Sequence, residues 1–374
     1  MDQKLDDALR RALRDIADAP PPVGLATAAR RIAGRQRAAR MTLASVATAA
    51  VALVTVPAAM TMIGDRHMPG GAPPRSLVVT AYSGALRGTD AGPADDRSLL
   101  LDPETGRYEE VPYTEVVPSP DGRQVLVRQG DNSRQHPLRA GVMDRATGQV
   151  RWIDTYAGAL GRDGEWSPDG RRILLTERPK QGPWGFVIVD ASTLEATFVE
   201  APLAPETDTL GLGFVWTPDG EHVALTLARN VGGELGTDAV TGIQFFDLSG
   251  RPVRTIEATG ALSASTDFSP DGTRIALSDP HGGEEVQIVT ATTGQVVERV
   301  LLPTPGVIVG WYDDDHLMVR VFSDRDSRAD TLQVVGLDGS VLRTVRLLDK
   351  GIDAKWVYVG SSDGLSPAAA RHAF

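Results

Sequence analysis

The sequence predicts an all-β protein, a six-bladed β-propeller closed by its C-terminal strand and preceded by a short helical segment and one transmembrane helix. Three observations predict it. First, Pro118-Ser119-Pro120-Asp121-Gly122 recurs as Trp166-Ser167-Pro168-Asp169-Gly170, Trp216-Thr217-Pro218-Asp219-Gly220 and Phe268-Ser269-Pro270-Asp271-Gly272, with the Asp positions 48, 50 and 52 residues apart. That is the period at which one repeat supplies one four-stranded blade. Second, a polar hairpin turn follows each copy at a fixed place: Asp144 to Gly148, Asp190 to Thr193, Asp247 to Gly250 and Thr290 to Gly294, with further copies at Asp102 to Gly106 and Leu337 to Gly339. Third, the incomplete first repeat lacks an innermost strand, and residues 355–359 near the C-terminus supply one, followed by Ser361-Ser362-Asp363-Gly364, a relic of the turn.

The elements follow in order. Residues 1–40 hold nine Lys/Arg and five Asp/Glu, a balance of +4 in a chain of formal charge -11, which leaves about -15 on the remainder. Leu5, Leu9, Leu13 and Ile16 give residues 2–17 an amphipathic helical pattern, Pro20-Pro21-Pro22 ends it, and a basic helical stretch leads on to Arg40. Residues 41–63 are 23 consecutive uncharged residues. A helix of that length spans about 35 Å, enough to cross a bilayer. Five Arg fall in the eleven residues before it, whereas Arg66 and Arg75 are the basic residues of the twenty after it. The positive-inside rule therefore places the N-terminus in the cytoplasm and the rest outside. A cleaved signal peptide is the competing reading, but the polar leader and the long apolar run favour an uncleaved anchor. Residues 64–75 form a linker in which six of twelve residues are Gly or Pro.

Residues 76–364 form the propeller and 365–374 a tail. Within each repeat the strands run A, B, C, D from the centre outward. Around Asp271, residues 265–268 are A, 274–278 are B, 285–290 are C and 295–301 are D. Pro presets φ at the second position of the A–B turn, Asp bonds nearby backbone N–H groups, and Gly supplies the positive φ that follows. Trp311-Tyr312-Asp313-Asp314-Asp315 is a degenerate fifth copy, and its carboxylates form a polar turn because they lack the alternate spacing of a calcium loop. Closing the ring with the last strand removes the open edges of a linear array.

These residues resemble the TolB-like and WD-repeat-like bacterial β-propellers, whose blades carry a Trp/Phe-Ser-Pro-Asp-Gly signature. The resemblance covers about residues 76–364 and implies the fold together with a tendency to bind proteins or peptides. The basic segment ahead of a single span is similar to the arrangement in actinobacterial membrane proteins linked to sigma-factor regulation. The Cys/His zinc motif of zinc-binding anti-sigma factors is absent, since the chain has no Cys.

Strand alternation puts the A–B and C–D turns on one face and the B–C and D–A connections on the other. The second face carries the longer segments 130–139, 178–185, 229–241 and 323–330, the usual place for recognition on a rigid scaffold. A protein or peptide partner is therefore expected there, away from the membrane, and Trp184 with Arg178 is a candidate anchor, or alternatively a cover for a blade edge. Trp166, Trp216, Phe268 and Trp311 recur regularly and are expected to pack between blades. Glu165 and Asp267 each precede such an aromatic and are expected to reach the central channel, either as solvated residues or as calcium ligands.

Composition narrows the function. An acidic domain is a poor match for nucleic acid. The six His show no ligand spacing, no Gly-x-Ser-x-Gly elbow is present, and no cofactor or metal site is expected. The sequence thus predicts a single-pass, non-enzymatic membrane protein with an extracytoplasmic binding propeller that contacts the bilayer through residues 41–63 and signals to a cytoplasmic regulator. The alternatives are a metal-dependent lactonase- or hydrolase-type propeller using Glu165 and Asp267, and a structural surface module.

Overall fold

The computed structural model describes residues 76–86, 97–130, 138–153, 164–177, 183–204, 207–230, 238–279, 282–321, 331–347, 356–363, 365–370 and 373–374. The expected cytoplasmic segment, span and linker, residues 1–75, lie outside them. Among the described residues no helix is long and apolar enough to cross a membrane.

The strands form antiparallel sheets in chain order. β1 (Leu77–Leu86), β2 (Arg97–Leu101) and β3 (Tyr108–Val111) make the first; β4 (Glu115–Pro118), β5 (Gln124–Gln129), β6 (Arg139–Asp144) and β7 (Val150–Trp152) the second. β8 (Gly164–Trp166), β9 (Arg172–Glu177), β10 (Gly185–Asp190) and β11 (Ala196–Glu200) make the third; β12 (Val215–Trp216), β13 (His222–Asn230), β14 (Asp238–Asp247) and β15 (Pro252–Ile256) the fourth. The fifth holds β16 (Arg274–Ser278), β17 (Gly283–Thr290), β18 (Val296–Trp311), β19 (His316–Val321), β20 (Thr331–Gly336) and β21 (Val341–Arg346). β22 (Trp356–Ser361) returns to the first sheet and pairs with β1, with Val79 opposite Val359 and Tyr82 opposite Val357. The fold is an all-β propeller in which the last strand lies inside the first sheet.

The expected six blades appear as five hydrogen-bonded sheets, four of four strands and one of six. The reason lies in β18. Its first half pairs with β17, Val300 opposite Val286, and its second half with β19, Trp311 opposite Leu317. Between the halves, Leu302-Pro303-Thr304-Pro305 stays extended. Proline is compatible with extended backbone, and the strand runs on through Gly306, which pairs with both Gly283 and Val321, from one repeat into the next. The expected A strand at 265–268 is also replaced, by a 3-10 turn over Ser265–Asp267 that leaves a single bridge, Phe268 to Ile275. The Asp267 carboxylate accepts the N–H groups of Ser263 and Ala264 at 2.7 and 3.0 Å, which coils the backbone there.

Six apolar clusters hold the structure together. Five lie between successive sheets, as where Phe186, Phe214, Trp216, Leu225 and Phe246 join the third to the fourth. The sixth packs Ile288 and Val300 of one half of the long sheet against Trp311, Leu317 and Val335 of the other, so that sheet is folded upon itself. Trp166, Trp216, Phe268 and Trp311 are all buried in these interfaces. The Trp166 indole N–H donates to the Val117 carbonyl and that of Trp311 to the Asp267 carbonyl, both at 2.8 Å, so the ring satisfies its one polar atom on the preceding repeat.

The repeated turns are built alike. Ser119, Ser167, Thr217 and Ser269 donate to Asp121, Asp169, Asp219 and Asp271 at 2.6 to 2.7 Å. Each Asp also accepts the backbone N–H two residues on. The Ser167 and Ser269 hydroxyls foremost, then those N–H groups, hold Asp169 and Asp271 below the usual carboxylate range. At Asp121 and Asp219 partial burial opposes this, yet the same bonds prevail and the shift is downward. In the outer C–D turns Asp190 is lowered to about 2, chiefly by the Ser192 hydroxyl and then by the N–H groups of Thr193 and Ser192.

Of residues 365–374, set apart as a tail in the sequence, 365–370 and 373–374 are described, and they pack on the first sheet. Phe374 and Leu77 exchange backbone hydrogen bonds of 2.7 and 3.0 Å. The Phe374 ring is buried and stacks at 6.5 Å on Tyr312. Ser366 reaches the carbonyls of Pro103 and Glu104. Gly106, at φ +69°, lies so close to Ala368 that a Cβ would sit 2.5 Å from its carbonyl oxygen.

Two outcomes follow. Phe374→Ala should lower the unfolding free energy by about 3 kcal/mol, the low end for a buried Phe because the site lies at the edge of its cluster; a urea midpoint equal to that of the parent would contradict the packing role. The lowered Asp pKa values give stability that is fully present above the ordinary carboxylate pKa near about 4 and lost as pH falls toward the folded values. Urea unfolding from pH 5 down to pH 2 should show that decline, and Asp190→Asn should decline less steeply. An equal slope in the two proteins would rule out this origin.

Candidate functional site

A cavity of about 750 Å³ lies at the inner ends of the sheets, on the face of the Pro-Asp-Gly turns. Its walls come from β4 and the turn after it, from β8, from residues 264–266 and from β22, so it is formed where inner strands converge. Glu165 and Tyr358 line it. Alternation along β8 buries Gly164 and Trp166 and turns Glu165 toward this space.

Glu165, expected to reach the central channel, lines this cavity. Its carboxylate accepts the N–H of Ser265 at 3.0 Å and that of Trp216 at 3.3 Å, tying β8 to the inner segments of the next two repeats. Asp267 is buried and bonds its own loop, as described, and its two backbone donors differ from those of Glu165. Among the described residues no group of three His, Cys, Asp or Glu could hold a metal ion. Trp184 is half-buried beside β10, and its carbonyl accepts the Ala201 N–H at 2.9 Å. Arg178 lies outside the described residues, as does most of each long connection on the far face.

Sequence reasoning missed a buried polar network beside the cavity. Arg128 of β5 donates to Glu115 of β4 at 2.5 Å, and the Tyr358 hydroxyl of β22 donates to the same carboxylate at 2.8 Å. Both charged side chains are at most 5% exposed. A signal was present. The residue three positions beyond the partner of the inner strand's last residue, Pro118 or its aromatic counterparts, is polar in repeat after repeat, as Arg128, Thr176, Thr226, Ser278 and Arg320, and each is buried. The Thr176 hydroxyl accepts the Phe214 N–H at 2.8 Å, and the Thr226 hydroxyl both donates to and accepts from Leu262. At Thr176 and Thr226 the position therefore ties one repeat to the next.

The long-connection face presents two features. Where β5, β6 and β7 end, the Arg139 guanidinium lies 3.9 Å from the Trp152 ring centroid, and Tyr113 meets that ring edge-on at 6.4 Å. Gln129 holds the guanidinium by accepting its Nε at 3.2 Å and its Nη2 at 2.6 Å. Between the fourth and fifth sheets a second cavity of about 500 Å³ is lined by Val240, Thr259, Asp279, Glu284 and Glu285.

The buried pair yields a test. Glu115→Ala removes the carboxylate paired with the buried Arg128 guanidinium and should cost about 3 to 5 kcal/mol of stability. Replacing both, as Glu115→Leu with Arg128→Met, should recover most of it. A double variant as unstable as the single one would mean that the carboxylate matters for another reason.

No protein-family model matches the sequence. The Tol-Pal system protein TolB of Alcanivorax borkumensis is 38% identical over 69 residues, which is 17% of this chain, and the chain spans 14% of that relative's length. The crystal structure of TolB from Acinetobacter baumannii is similar with a TM-score of 0.49 and 19% identity, over 76% of this chain and 65% of that one. The structure of a putative TolB from Agrobacterium tumefaciens is similar with a TM-score of 0.46 and 15% identity, over 77% of this chain and 98% of that one.

Proposed function

We propose that the chain is a single-pass membrane protein whose propeller lies outside the cytoplasm and binds a protein or peptide at its long-connection face. In this reading the ring counts six repeat units, with the folded six-stranded sheet supplying two, and residues 1–40 stand in the cytoplasm. The span of residues 41–63 and the Arg residues before it support the topology. The short stretch of identity with a TolB protein favours a protein-binding role over an enzymatic one. Glu165 and Asp267, which a metal-dependent reaction would need, each already accept two backbone hydrogen bonds.

The observation that carries the reading is the Arg139–Trp152–Tyr113 platform. Trp, Tyr and Arg are the residue types that concentrate binding energy at interfaces, and here Gln129 fixes the guanidinium in advance of any partner. Signalling through residues 1–40 is the further step of the proposal.

Cross-linked capture from host membranes tests both parts. Arg139→Ala with Trp152→Ala should weaken the partner's binding by roughly 30-fold or more, the effect of losing about 2 kcal/mol. Deleting residues 1–29 should release a cytoplasmic regulator and leave envelope partners bound. Envelope partners held equally by the platform variant would sink the face assignment, and the absence of any regulator that depends on residues 1–29 would sink the signalling.

A further inference from the structure

All the large apolar side chains that stand exposed among the described residues sit on outermost strands, and all are in the later part of the ring. They are Phe198 on β11, Val253 on β15, Val296, Val297 and Leu301 on the first half of β18, and Val341 and Leu342 on β21. Leu301 is 67% exposed, Leu342 62% and Val297 52%. The corresponding strand of the first sheet, β3, instead presents Glu109 and Glu110 to solvent.

The exposed groups are brought near one another where three of the later C–D turns abut the outer strand of the repeat before them. A Cβ on Gly250 would meet the Glu200 carbonyl at 1.9 Å, one on Gly294 the Glu257 carbonyl at 2.8 Å, and one on Gly339 the Leu301 carbonyl at 2.7 Å. Val253, Val296 with Val297, and Val341 with Leu342 follow those glycines by two or three residues. Most of these groups therefore lie at the turn-bearing edge of the rim. The first half of β18 and β21 also carry Arg299, Arg343 and Arg346 against Glu298, and Arg299 is paired with Glu285 of β17, in a chain of formal charge -11. Apolar side chains mixed with Arg fit an interface between water and anionic lipid.

We propose that this rim, centred on Val297, Leu301, Val341 and Leu342 with Arg343 and Arg346, rests on the anionic lipid surface of the membrane. The proposal builds on the anchored reading above. The linker of residues 64–75 spans at most about 40 Å when extended and delivers the chain to β1, in the sheet that follows the repeat carrying β21.

The absence of Cys makes the test direct. Single variants Val297→Cys, Leu342→Cys and, as reference, Glu110→Cys take an environment-sensitive fluorophore in the full-length protein, reconstituted in vesicles that contain nitroxide-labelled lipid. Probes at 297 and 342 should be quenched at least about twofold more than the probe at 110, more strongly with phosphatidylglycerol present and less at high salt. Equal quenching at all three positions would overturn the proposal. So would probes at 297 and 342 that are shielded from water yet insensitive to the nitroxide, which would put a second copy of the chain or another protein on the rim. An alkaline carbonate wash of the same vesicles reports separately on the span. If the protein washes off, the anchored reading fails, and adding the labelled chain to preformed vesicles still measures the rim.

Discussion

The pairing of β22 with β1 is the constraint on which the remaining contacts depend. A linear series of sheets would leave β1 with an unpaired inner edge and would expose Val79, Tyr82 and Val357, which the closure buries together with Met318 and Leu332. Strand pairing across 278 residues of chain is slow to find but, once made, removes the fraying ends of the array, because every sheet then has a packed neighbour on each side. Phe374 and residues 365–370 seal the same seam from outside. The carbonyl of Ala368 sits against Gly106 as that of Leu301 sits against Gly339, so the C-terminal segment completes the contact that an outer strand makes elsewhere.

Given closure, neighbouring repeats are coupled by a small set of directional bonds laid over apolar packing. Arg172 donates to the Gly220 carbonyl of the next turn at 2.8 Å while its guanidinium lies 4.9 Å from the Trp216 ring. Arg274 does the same to Asp314 and Trp311 at 2.6 and 5.0 Å. At the rim Arg151 and Arg254 reach the carbonyls of the next C–D turn. Apolar contact alone would permit adjacent sheets to slide, whereas a guanidinium fixed between a carbonyl and a ring selects one register. Glu165 extends the coupling over two interfaces at once.

The sequence made the architecture readable wherever a turn needed special chemistry. The Ser-Pro-Asp-Gly copies marked the A–B turns because Asp must cap the N–H groups and Gly must take positive φ, and both conditions hold at Gly122, Gly170, Gly220 and Gly272. It failed where the outcome depended on the absence of a turn. Nothing local shows that Leu302-Pro303-Thr304-Pro305 carries one strand across two repeats, since prolines suit an extended crossing as well as a break. The coil at Ser265–Asp267 was hidden for a related reason: its cause is a carboxylate folding back on its own loop, not a breaker residue. The Arg139–Trp152–Tyr113 platform was harder still to read, because its members are 39 residues apart at the extremes, from Tyr113 to Trp152, and nothing repeats.

That contrast separates scaffold from function in this molecule. A residue that recurs at the repeat period answers a demand that every repeat makes, as the buried Trp and the turn Asp do. A residue that breaks the period has no such explanation. Arg128 and Arg320 stand where Thr176, Thr226 and Ser278 have small hydroxyls, and the Arg128 charge is met by Glu115, which the Tyr358 hydroxyl joins beside the cavity. The run of exposed apolar side chains, Val297, Leu301 and Leu342 among them, likewise stops at Glu109 and Glu110, although every outer strand faces the same requirement of covering a blade. Asymmetry of that kind costs solubility unless a contact covers it, which is why the proposed contacts are placed at the departures from the repeat rather than at its regular spacing.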